Sequence, residues 1–203
     1  MPTVSNVYVA LLAAGASRRF GSPKQLYEWQ GIPLVQHAVN RASDACGDRV
    51  LLVLGHRWRA VKAAVPDVPF ITLNERHDRG MSTSISAAAR TLRCVADAII
   101  VMPVDQPLVA ADHLRALVDA WSGGPDEIVA SHYSGIGGTP ALFAAGAYDQ
   151  LVSLDRDGGA RALFSDERYR VQSVACEAAA FDIDSPDDLE QRSQFTQPES
   201  PST

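Results

Sequence analysis

Residues 7–24 read VYVALLAAGASRRFGSPK. The opening VYVALLA is an almost wholly apolar run, which is typical of a central parallel strand because both faces of such a strand are covered. A turn of small residues follows, and three cations, Arg18, Arg19 and Lys24, stand close together after it. The carboxyl edge of the sheet is where open α/β folds bind ligands, so this turn is predicted to lie at a ligand site.

The turn itself is suited to an anion. Its small residues let backbone N–H groups approach a phosphate closely, and Gly15 tolerates dihedral angles that a side chain would resist. Gly15 and Gly21 are spaced wrongly for a Walker loop, and the further glycines of a dinucleotide fingerprint are absent. Arg19 stands where a nucleophile elbow around Ser17 requires glycine. What remains is the pattern L-A-A-G-x-S-x-R-x-G-x-x-K.

This pattern resembles the signature loop of nucleotidyltransferases that activate small phosphorylated molecules with a nucleoside triphosphate. Within that group, LAAGASRRFGSPKQL is most similar to the molybdenum cofactor cytidylyltransferases, and Phe20 replaces their usual Met. The alternative is a strand that ends in a small-residue turn, with Arg and Lys merely solvated. The remaining family motifs occur in order along the chain, which favours the resemblance.

The whole composition fits one globular domain. With 203 residues, 46% of them hydrophobic and 21% charged, we expect a single nucleotidyltransferase domain over residues 1–194 and a polar, Pro- and Ser-rich disordered tail over 195–203. The net charge of −6 counts against nucleic acid or an anionic membrane surface as a partner. Three widely separated cysteines indicate neither disulfides nor zinc, and no leader or membrane span is recognisable, so a cytoplasmic protein is expected.

Apolar strands alternate with helical segments after the loop, which predicts βαβ units. We expect a right-handed, three-layer α/β/α Rossmann-like fold, with a mostly parallel sheet and a small antiparallel edge or flap. A short bend is expected at 27–32, and a Gly-rich loop over Ser134–Gly138. Helices are predicted at 33–45, 57–65, 80–93 and 110–121, and strands at 49–55, 70–74, 98–107, 127–133, 139–143 and 170–175.

The strand at 98–107 delivers Asp105 to the same sheet edge as the loop. A carboxylate near triphosphate oxygens requires an intervening cation, which makes Asp105 a candidate ligand for Mg²⁺. The alternative is a turn Asp that caps the helix beginning near Ala110. The family pattern is a hydrophobic strand followed by Asp-x-Pro, so the resemblance implies a metal-binding role for Asp105, and Gln106 is common in the cytidylyltransferase branch.

Two further acids lie in FDIDSPDDL, residues 181–189. Asp182 and Asp184 alternate along an extended segment and therefore point to one side, where they complete a predicted magnesium site with Asp105. The resemblance implies a position next to the nucleotide phosphates. Asp187 and Asp188 suit the start of a last helix capped by Ser185 and are predicted to be structural.

The segment GMSTSISAAAR, which begins at Gly80, carries hydroxyl side chains in the first turn of a helix. An ordinary N-cap would have the same pattern. The resemblance implies contacts to the base and ribose from Gly80, Met81 and Ser82, with Asn74 at the preceding strand end as a further candidate.

Two segments are candidates for binding the second substrate. The pattern G-x-x-G-x-P-x-L-F resembles the family's acceptor-side loop and implies roles for Gly138, Thr139 and Pro140, although a Gly-rich hairpin is often only a turn. Arg161, in DGGARALF, could bind an acceptor phosphate bidentately or pair with Asp157. The five histidines form no ligand pattern and are expected to be structural or solvated.

The resemblance implies transfer of CMP from CTP to the phosphate of a molybdopterin-type cofactor, with release of pyrophosphate, Mg²⁺ as cofactor, and a molybdenum hydroxylase as possible recipient. Ala-Ala before Gly15 resembles the loop of the cytidylyltransferases more than that of their guanylyl relatives, which implies CTP rather than GTP. Alternatives are a sugar-phosphate or polyol-phosphate acceptor, or a non-catalytic nucleotide-binding accessory protein. Arg19, Lys24 and Asp105 are the predicted catalytic residues. The predicted nucleotide-binding residues are Leu12, Ala13, Ala14, Gly15, Ala16, Ser17, Arg19, Lys24, Asn74, Gly80, Met81, Ser82, Val104 and Asp105.

Overall fold

The computed structural model describes residues 5–17, 20–155, 159–185 and 188. Within these ranges, strands and helices alternate through most of the chain, as the sequence predicts. The strands are β1 (Val7–Ala13), β2 (Glu28–Trp29), β3 (Ile32–Pro33), β4 (Val50–Leu54), β5 (Phe70–Leu73), β6 (Ala98–Pro103), β7 (Glu127–Tyr133), β8 (Ile136–Ala144) and β9 (Arg170–Ala175).

The helices follow the strands closely in the chain. Short 3₁₀ segments add to them at Lys24–Leu26, His77–Arg79, Ala145–Ala147, Gly159–Ser165 and Glu177–Ala180. The α-helices are α1 (Leu34–Cys46), α2 (Trp58–Ala64), α3 (Met81–Leu92), α4 (Ala111–Ala120) and α5 (Tyr148–Ser153).

One large sheet, with strand order β5-β4-β1-β6-β8-β7-β9, forms the centre of the molecule, and β2 and β3 make a separate hairpin. The central strand β1 pairs in parallel with β4 and with β6, so that Leu11 lies between Leu52 and Met102. Strand β8 is antiparallel to both of its neighbours, and β9 is parallel to β7. The predicted mostly parallel α/β fold is confirmed, but its antiparallel part lies inside the sheet rather than at the edge.

Both faces of the sheet are covered. Alternate residues of β1 enter different cores: Leu11 packs in the same cluster as α1 and α4, and Leu12 packs with α3 and α5. This two-sided burial explains why β1 reads as a continuous apolar run and not as an alternating pattern. The result is the predicted three-layer arrangement.

The prediction of a Gly-rich loop over Ser134–Gly138 is wrong in its extent. Ser134 and Gly135 alone form the turn, both with positive φ, and β8 already begins at Ile136. Gly138 is a strand residue that pairs with Ser131, next to a register shift in β7. A Cβ atom added at Gly138 would lie only 2.1 Å from Oη of Tyr133, so glycine permits a close approach here and does not mark a loop.

The last predicted helix falls mostly outside the described residues, as does the predicted tail over 195–203. Its predicted capping pair is present: Asp188 Oδ2 accepts hydrogen bonds from the backbone N–H of Ser185 at 2.7 Å and from its hydroxyl at 3.0 Å. In the ranges that the structure describes, no helix is both long and apolar enough to span a membrane.

Candidate functional site

A cleft of about 500 Å³ opens where β1 and β6 end at the carboxyl edge of the sheet. The loop after β1 forms one side, and the start of α3 forms another. Its walls are formed by Leu12, Ala14, Gly15, Ala16, Ser17, Phe20, Lys24, Gln25, His77, Asp78, Gly80, Met81, Ser84, Pro103, Val104, Asp105 and Asp184.

The loop after β1 is held in shape by a buried amide. Nε2 of Gln25 donates hydrogen bonds to the backbone oxygens of Ala13, at 3.1 Å, and Gly15, at 2.9 Å. Ser17 adopts a left-handed conformation, with a φ of 49°, and its hydroxyl oxygen accepts a hydrogen bond from the backbone N–H of Lys24 at 3.0 Å. Sequence reasoning missed Gln25, although it directly follows the predicted lysine.

No contact with the residues that the structure describes requires a glycine at position 15. A Cβ atom added there would meet nothing within 4 Å, and Gly15 does not have a positive φ. Because Gly15 also lines the cleft, a side chain at this position would stand at the cleft wall without protein contacts.

Lys24 joins the loop to two acidic segments. Its Nζ lies 2.5 Å from Oδ2 of Asp105 and 3.2 Å from Oδ1 of Asp184, and it donates a further hydrogen bond to the backbone oxygen of Ile183. Burial alone would lower the pKa of Lys24, but the two carboxylates outweigh burial and raise that pKa. Lys24 is therefore a charged ammonium group at neutral pH.

The three predicted metal ligands lie close enough for their charges to interact. Desolvation, and next the negative charge of Asp105, raises the pKa of Asp182 to about 6 although its side chain reaches solvent. Both desolvation and a neighbouring negative charge disfavour the ionised form of a carboxyl group. The second oxygen of Asp105, Oδ1, is buried and has no hydrogen-bond partner among the described residues.

This chemistry fits a divalent cation, because an orphaned carboxylate oxygen and neighbouring carboxylates are the ligands that Mg²⁺ prefers. The cluster is not preassembled, however. Within the described ranges, no group of three or more His, Cys, Asp or Glu side chains is arranged to hold a metal ion, and Lys24 stands against Asp105 and Asp184. A magnesium site formed by Asp105, Asp182 and Asp184 stays a prediction.

Most of the predicted nucleotide-binding residues meet in this cleft. Ala13 and Ser82 do not line it, and Arg18 and Arg19 lie outside the described residues. The predicted residues that line the cleft are Leu12, Ala14, Gly15, Ala16, Ser17, Lys24, Gly80, Met81, Val104 and Asp105.

Asn74 is also absent from the cleft walls. Its buried amide donates hydrogen bonds to the hydroxyl oxygens of Thr83, at 2.8 Å, and Ser84, at 3.0 Å, and accepts one from the backbone N–H of Arg76. Both amide hydrogens are therefore used inside the protein. Asn74 therefore connects the end of β5 to the first turn of α3. It supports the part of α3 that lines the cleft without lining the cleft itself.

A second cavity of about 280 Å³ adjoins the first and shares Met81, Pro103 and Asp105 with it. Three predicted acceptor-binding residues, Gly138, Thr139 and Arg161, line this cavity, and so does Asp182. Pro140 does not line it; the backbone oxygen of Pro140 instead accepts a hydrogen bond from the hydroxyl of Ser131. Asp157, the alternative partner for Arg161, lies outside the described residues.

Sequence reasoning missed several wall residues. His77 was expected to be solvated or structural, yet it lines the first cleft, and its Cβ would lie 2.6 Å from a Cβ added at Gly55. The second cavity is lined by Tyr133 and Phe164, which the sequence did not single out, and by Gln106, which it did. For Tyr133, the available signal was its position at a strand end just before the Gly-rich segment Ser134–Gly138.

The two cavities together form a site with chemically different halves. The first half offers the small residues of the loop after β1 and the ammonium group of Lys24, which suit a polyphosphate. The second half offers Arg161, the carboxylates of Asp105 and Asp182, and apolar and aromatic walls. Its arginine suits an anionic group on a molecule with an apolar or ring-shaped body. Asp105 lies on the boundary between them.

Comparison with protein families gives one match over most of the chain. The model of the MobA-like NTP transferase domain family matches residues 9–173. Among curated proteins, the bifunctional protein GlmU of Anaeromyxobacter sp. (strain K) is 33% identical in an alignment of 127 residues that covers 59% of this chain and 26% of that protein. The chain thus spans about a quarter of the length of this curated relative.

Solved structures extend the likeness to almost the whole chain. Rv0371c of Mycobacterium tuberculosis H37Rv has a TM-score of 0.81 at 30% identity, covering 93% of this chain and 97% of the other. Its complex with manganese gives a TM-score of 0.76 at 27% identity, covering 92% and 97%. Molybdopterin-guanine dinucleotide biosynthesis protein A from Archaeoglobus fulgidus, at 22% identity, has a TM-score of 0.70, covers 93% and 97%, and shares the fold.

Proposed function

Because the chain belongs to the family of MobA-like NTP transferase domains, we propose that it transfers CMP from CTP to the phosphate of a molybdopterin-type cofactor and releases pyrophosphate. The observation that carries this proposal is the shared boundary of the two cavities. Asp105 lines both of them, at the point where a bond between a nucleotide in one and an acceptor in the other would form.

The first cleft would hold the nucleotide. Its triphosphate would lie along the turn from Ala14 to Ser17, where backbone N–H groups and Lys24 face a negatively charged ligand. Lys24 would then offset the charge that grows on the leaving pyrophosphate. Arg19 is proposed to share this role on the strength of the sequence pattern alone, since it lies outside the described residues.

The acceptor phosphate would attack the α-phosphorus. A phosphate monoester is mostly dianionic near neutral pH, with a second pKa of about 6, so the reaction does not demand a dedicated general base. Arg161 would orient this phosphate from the wall of the second cavity. Positioning and neutralisation of charge are then the main contributions of the protein.

Asp105, Asp182 and Asp184 would hold Mg²⁺. When bound, a divalent cation would supply charge neutralisation between the two reacting phosphates. The buried, unpartnered Oδ1 of Asp105 and the raised pKa of Asp182 support this assignment. A manganese complex of the similar Rv0371c also supports a divalent cation.

The preference for CTP over GTP rests on the two alanines, Ala13 and Ala14, that precede Gly15 in the loop. The same resemblance suggests a molybdenum hydroxylase as the recipient of the product, and a cytoplasmic location without nucleic-acid or membrane partners. Two experiments test this partner: co-purification with such an enzyme, and transfer of the cofactor to it in a reconstituted mixture. Absence of both would remove the partner from the proposal.

The deciding experiment is pyrophosphate release by the purified full chain with Mg²⁺ and each of CTP, GTP, ATP and UTP, with and without molybdopterin. Release that needs both CTP and molybdopterin is the expected result. Release only with a sugar phosphate would keep the reaction and replace the acceptor, whereas no release with any pair would favour an accessory binding protein. Asp105→Asn should abolish release, and Asp97→Asn, remote from the cavities, is the matched control.

A further inference from the structure

Gln106 combines a buried side chain with a position in the wall of the second cavity. Only 2% of the residue is exposed, yet it lines that cavity and not the first cleft. Its amide nitrogen Nε2 donates hydrogen bonds to the backbone oxygens of Thr139, at 3.2 Å, and Ala179, at 2.9 Å.

These two hydrogen bonds fix the orientation of the amide. An amide nitrogen has two hydrogens, and both are used. Turning the group over would place Oε1 against two carbonyl oxygens, which cannot donate a hydrogen bond. Oε1 is therefore locked as a hydrogen-bond acceptor, and it has no partner among the residues that the structure describes.

We propose that Gln106 is a specificity-determining residue of the second cavity, in which Oε1 accepts a hydrogen bond from an N–H or O–H donor on the acceptor molecule. This inference rests on the proposed function, since it assigns the second cavity to the acceptor. A buried oxygen that cannot rotate away disfavours any ligand that leaves it unpaired, so it discriminates against molecules that lack a donor.

The remaining walls define the ligand class further. Phe143 and Phe164 stack with their ring centroids 6.0 Å apart and an interplanar angle of 17°, and Ile85 adds another apolar wall. An apolar, aromatic surface beside the fixed oxygen of Gln106 and the carboxylates of Asp105 and Asp182 suits a planar heterocycle whose edge carries a ring N–H. A flexible polyol would cover the aromatic wall poorly.

A matched pair of ring compounds tests this inference. Lumazine has ring N–H donors, and 1,3-dimethyllumazine has the same ring system with those hydrogens replaced by methyl groups. Binding of each to the full chain would be measured by titration calorimetry, for the wild type and for Gln106→Met. Gln36→Met, on the exposed face of α1, controls for the exchange of an amide for a thioether.

The wild type and the Gln36→Met variant should bind lumazine about tenfold to a hundredfold more tightly than its dimethyl analogue. Gln106→Met should lose this preference, because methionine lacks the amide oxygen. A purely structural role of Gln106 would instead weaken the binding of both ligands equally and leave the ratio of their affinities unchanged. An undiminished preference in Gln106→Met, or no binding of either compound, would overturn the inference. Pyrophosphate release from CTP is measured separately, so failure of the proposed function is not confused with failure of this inference.

Discussion

The ammonium nitrogen of Lys24 lies 2.5 Å from Oδ2 of Asp105, although 80 residues separate the two in the chain. The same nitrogen also reaches Asp184, at 3.2 Å. Two carboxylates that we propose as metal ligands thus share the single positive charge of a lysine that we propose binds the triphosphate. Lysine and metal compete for the carboxylates, so a triphosphate that attracts Lys24 should strengthen metal binding, and the metal should strengthen nucleotide binding equally.

Replacing Lys24 by Met should therefore tighten metal binding in the absence of nucleotide. Removal of the ammonium group leaves Asp105 and Asp184 without their present counter-charge, and we expect Mn²⁺ to bind on the order of tenfold more tightly at pH 8. Electron paramagnetic resonance of free Mn²⁺ measures this directly. Turnover should fall on the order of a hundredfold to a thousandfold in the same variant.

Lys62→Met is the control for this experiment, since Lys62 hydrogen-bonds only to the nearby backbone oxygens of Val65 and Pro66 among the interactions seen here. Its affinity for Mn²⁺ should equal that of the wild type. Unchanged or weaker Mn²⁺ binding by Lys24→Met would show that the lysine does not compete with the metal.

Gly15→Ala should separate nucleotide binding from stability. The added methyl group meets no protein atom within 4 Å, so the free energy of unfolding should stay within about 1 kcal/mol of the wild-type value. Because Gly15 lines the first cleft, the added methyl group should interfere with the bound nucleotide, and KM for CTP should rise on the order of tenfold. Steady-state kinetics and urea unfolding measure the two effects.

Gly47→Ala provides the opposite control. Gly47 ends α1 with a φ of 62°, a conformation that alanine adopts at a cost, and it does not line the first cleft. Stability should decrease while KM for CTP stays unchanged. If Gly15→Ala had the wild-type KM for CTP, the loop around Gly15 would not be part of the nucleotide site.

Gly138→Ala should impair the acceptor side alone. A Cβ at this position would lie 2.1 Å from Oη of Tyr133, so the tyrosine ring must move within the second cavity. We expect KM for the acceptor to rise about tenfold or more, with KM for CTP unchanged. Gly137→Ala is the milder control, because its Cβ would lie 3.3 Å from the ring of Phe164. Equal effects on both substrates would argue against separate halves of the site.

Local sequence patterns were sufficient for the parts of this site that depend on one segment. The apolar run before Ala14 and the small turn after it predict a strand end at the sheet edge, and Asp105 follows another apolar strand in the same way. Parallel strands bring such ends together, so their proximity follows from the fold class.

Contacts between distant segments could not be predicted in this way. Gln106 is oriented by carbonyl groups from two other parts of the chain, and Gln25 by the loop that it supports. Gly138 looked like a loop residue because a glycine pair usually marks a turn. Its small size instead leaves room for the side chain of Tyr133 on the neighbouring strand. Sequence periodicity carries no information on such pairings.

His113 should make stability depend on pH. Its Nε2 lies 2.7 Å from the hydroxyl oxygen of Ser131, whose hydrogen is donated to the backbone oxygen of Pro140, so Nε2 must carry the hydrogen in this contact. Burial lowers the pKa of His113 below its ordinary value of 6.5, and the folded protein therefore holds the neutral ring. In the unfolded chain, the ring takes up a proton as the pH falls below about 6.5.

Its contribution to the free energy of unfolding is thus complete above pH 6.5 and is lost as the pH falls, with a slope of up to about 1.4 kcal/mol per pH unit. His113→Gln can still donate to Ser131 but does not titrate. In urea unfolding at several pH values, the advantage of the wild type over this variant should shrink steadily from pH 7 to about pH 5. Parallel curves for the two proteins would mean that His113 is protonated equally in the folded and unfolded states.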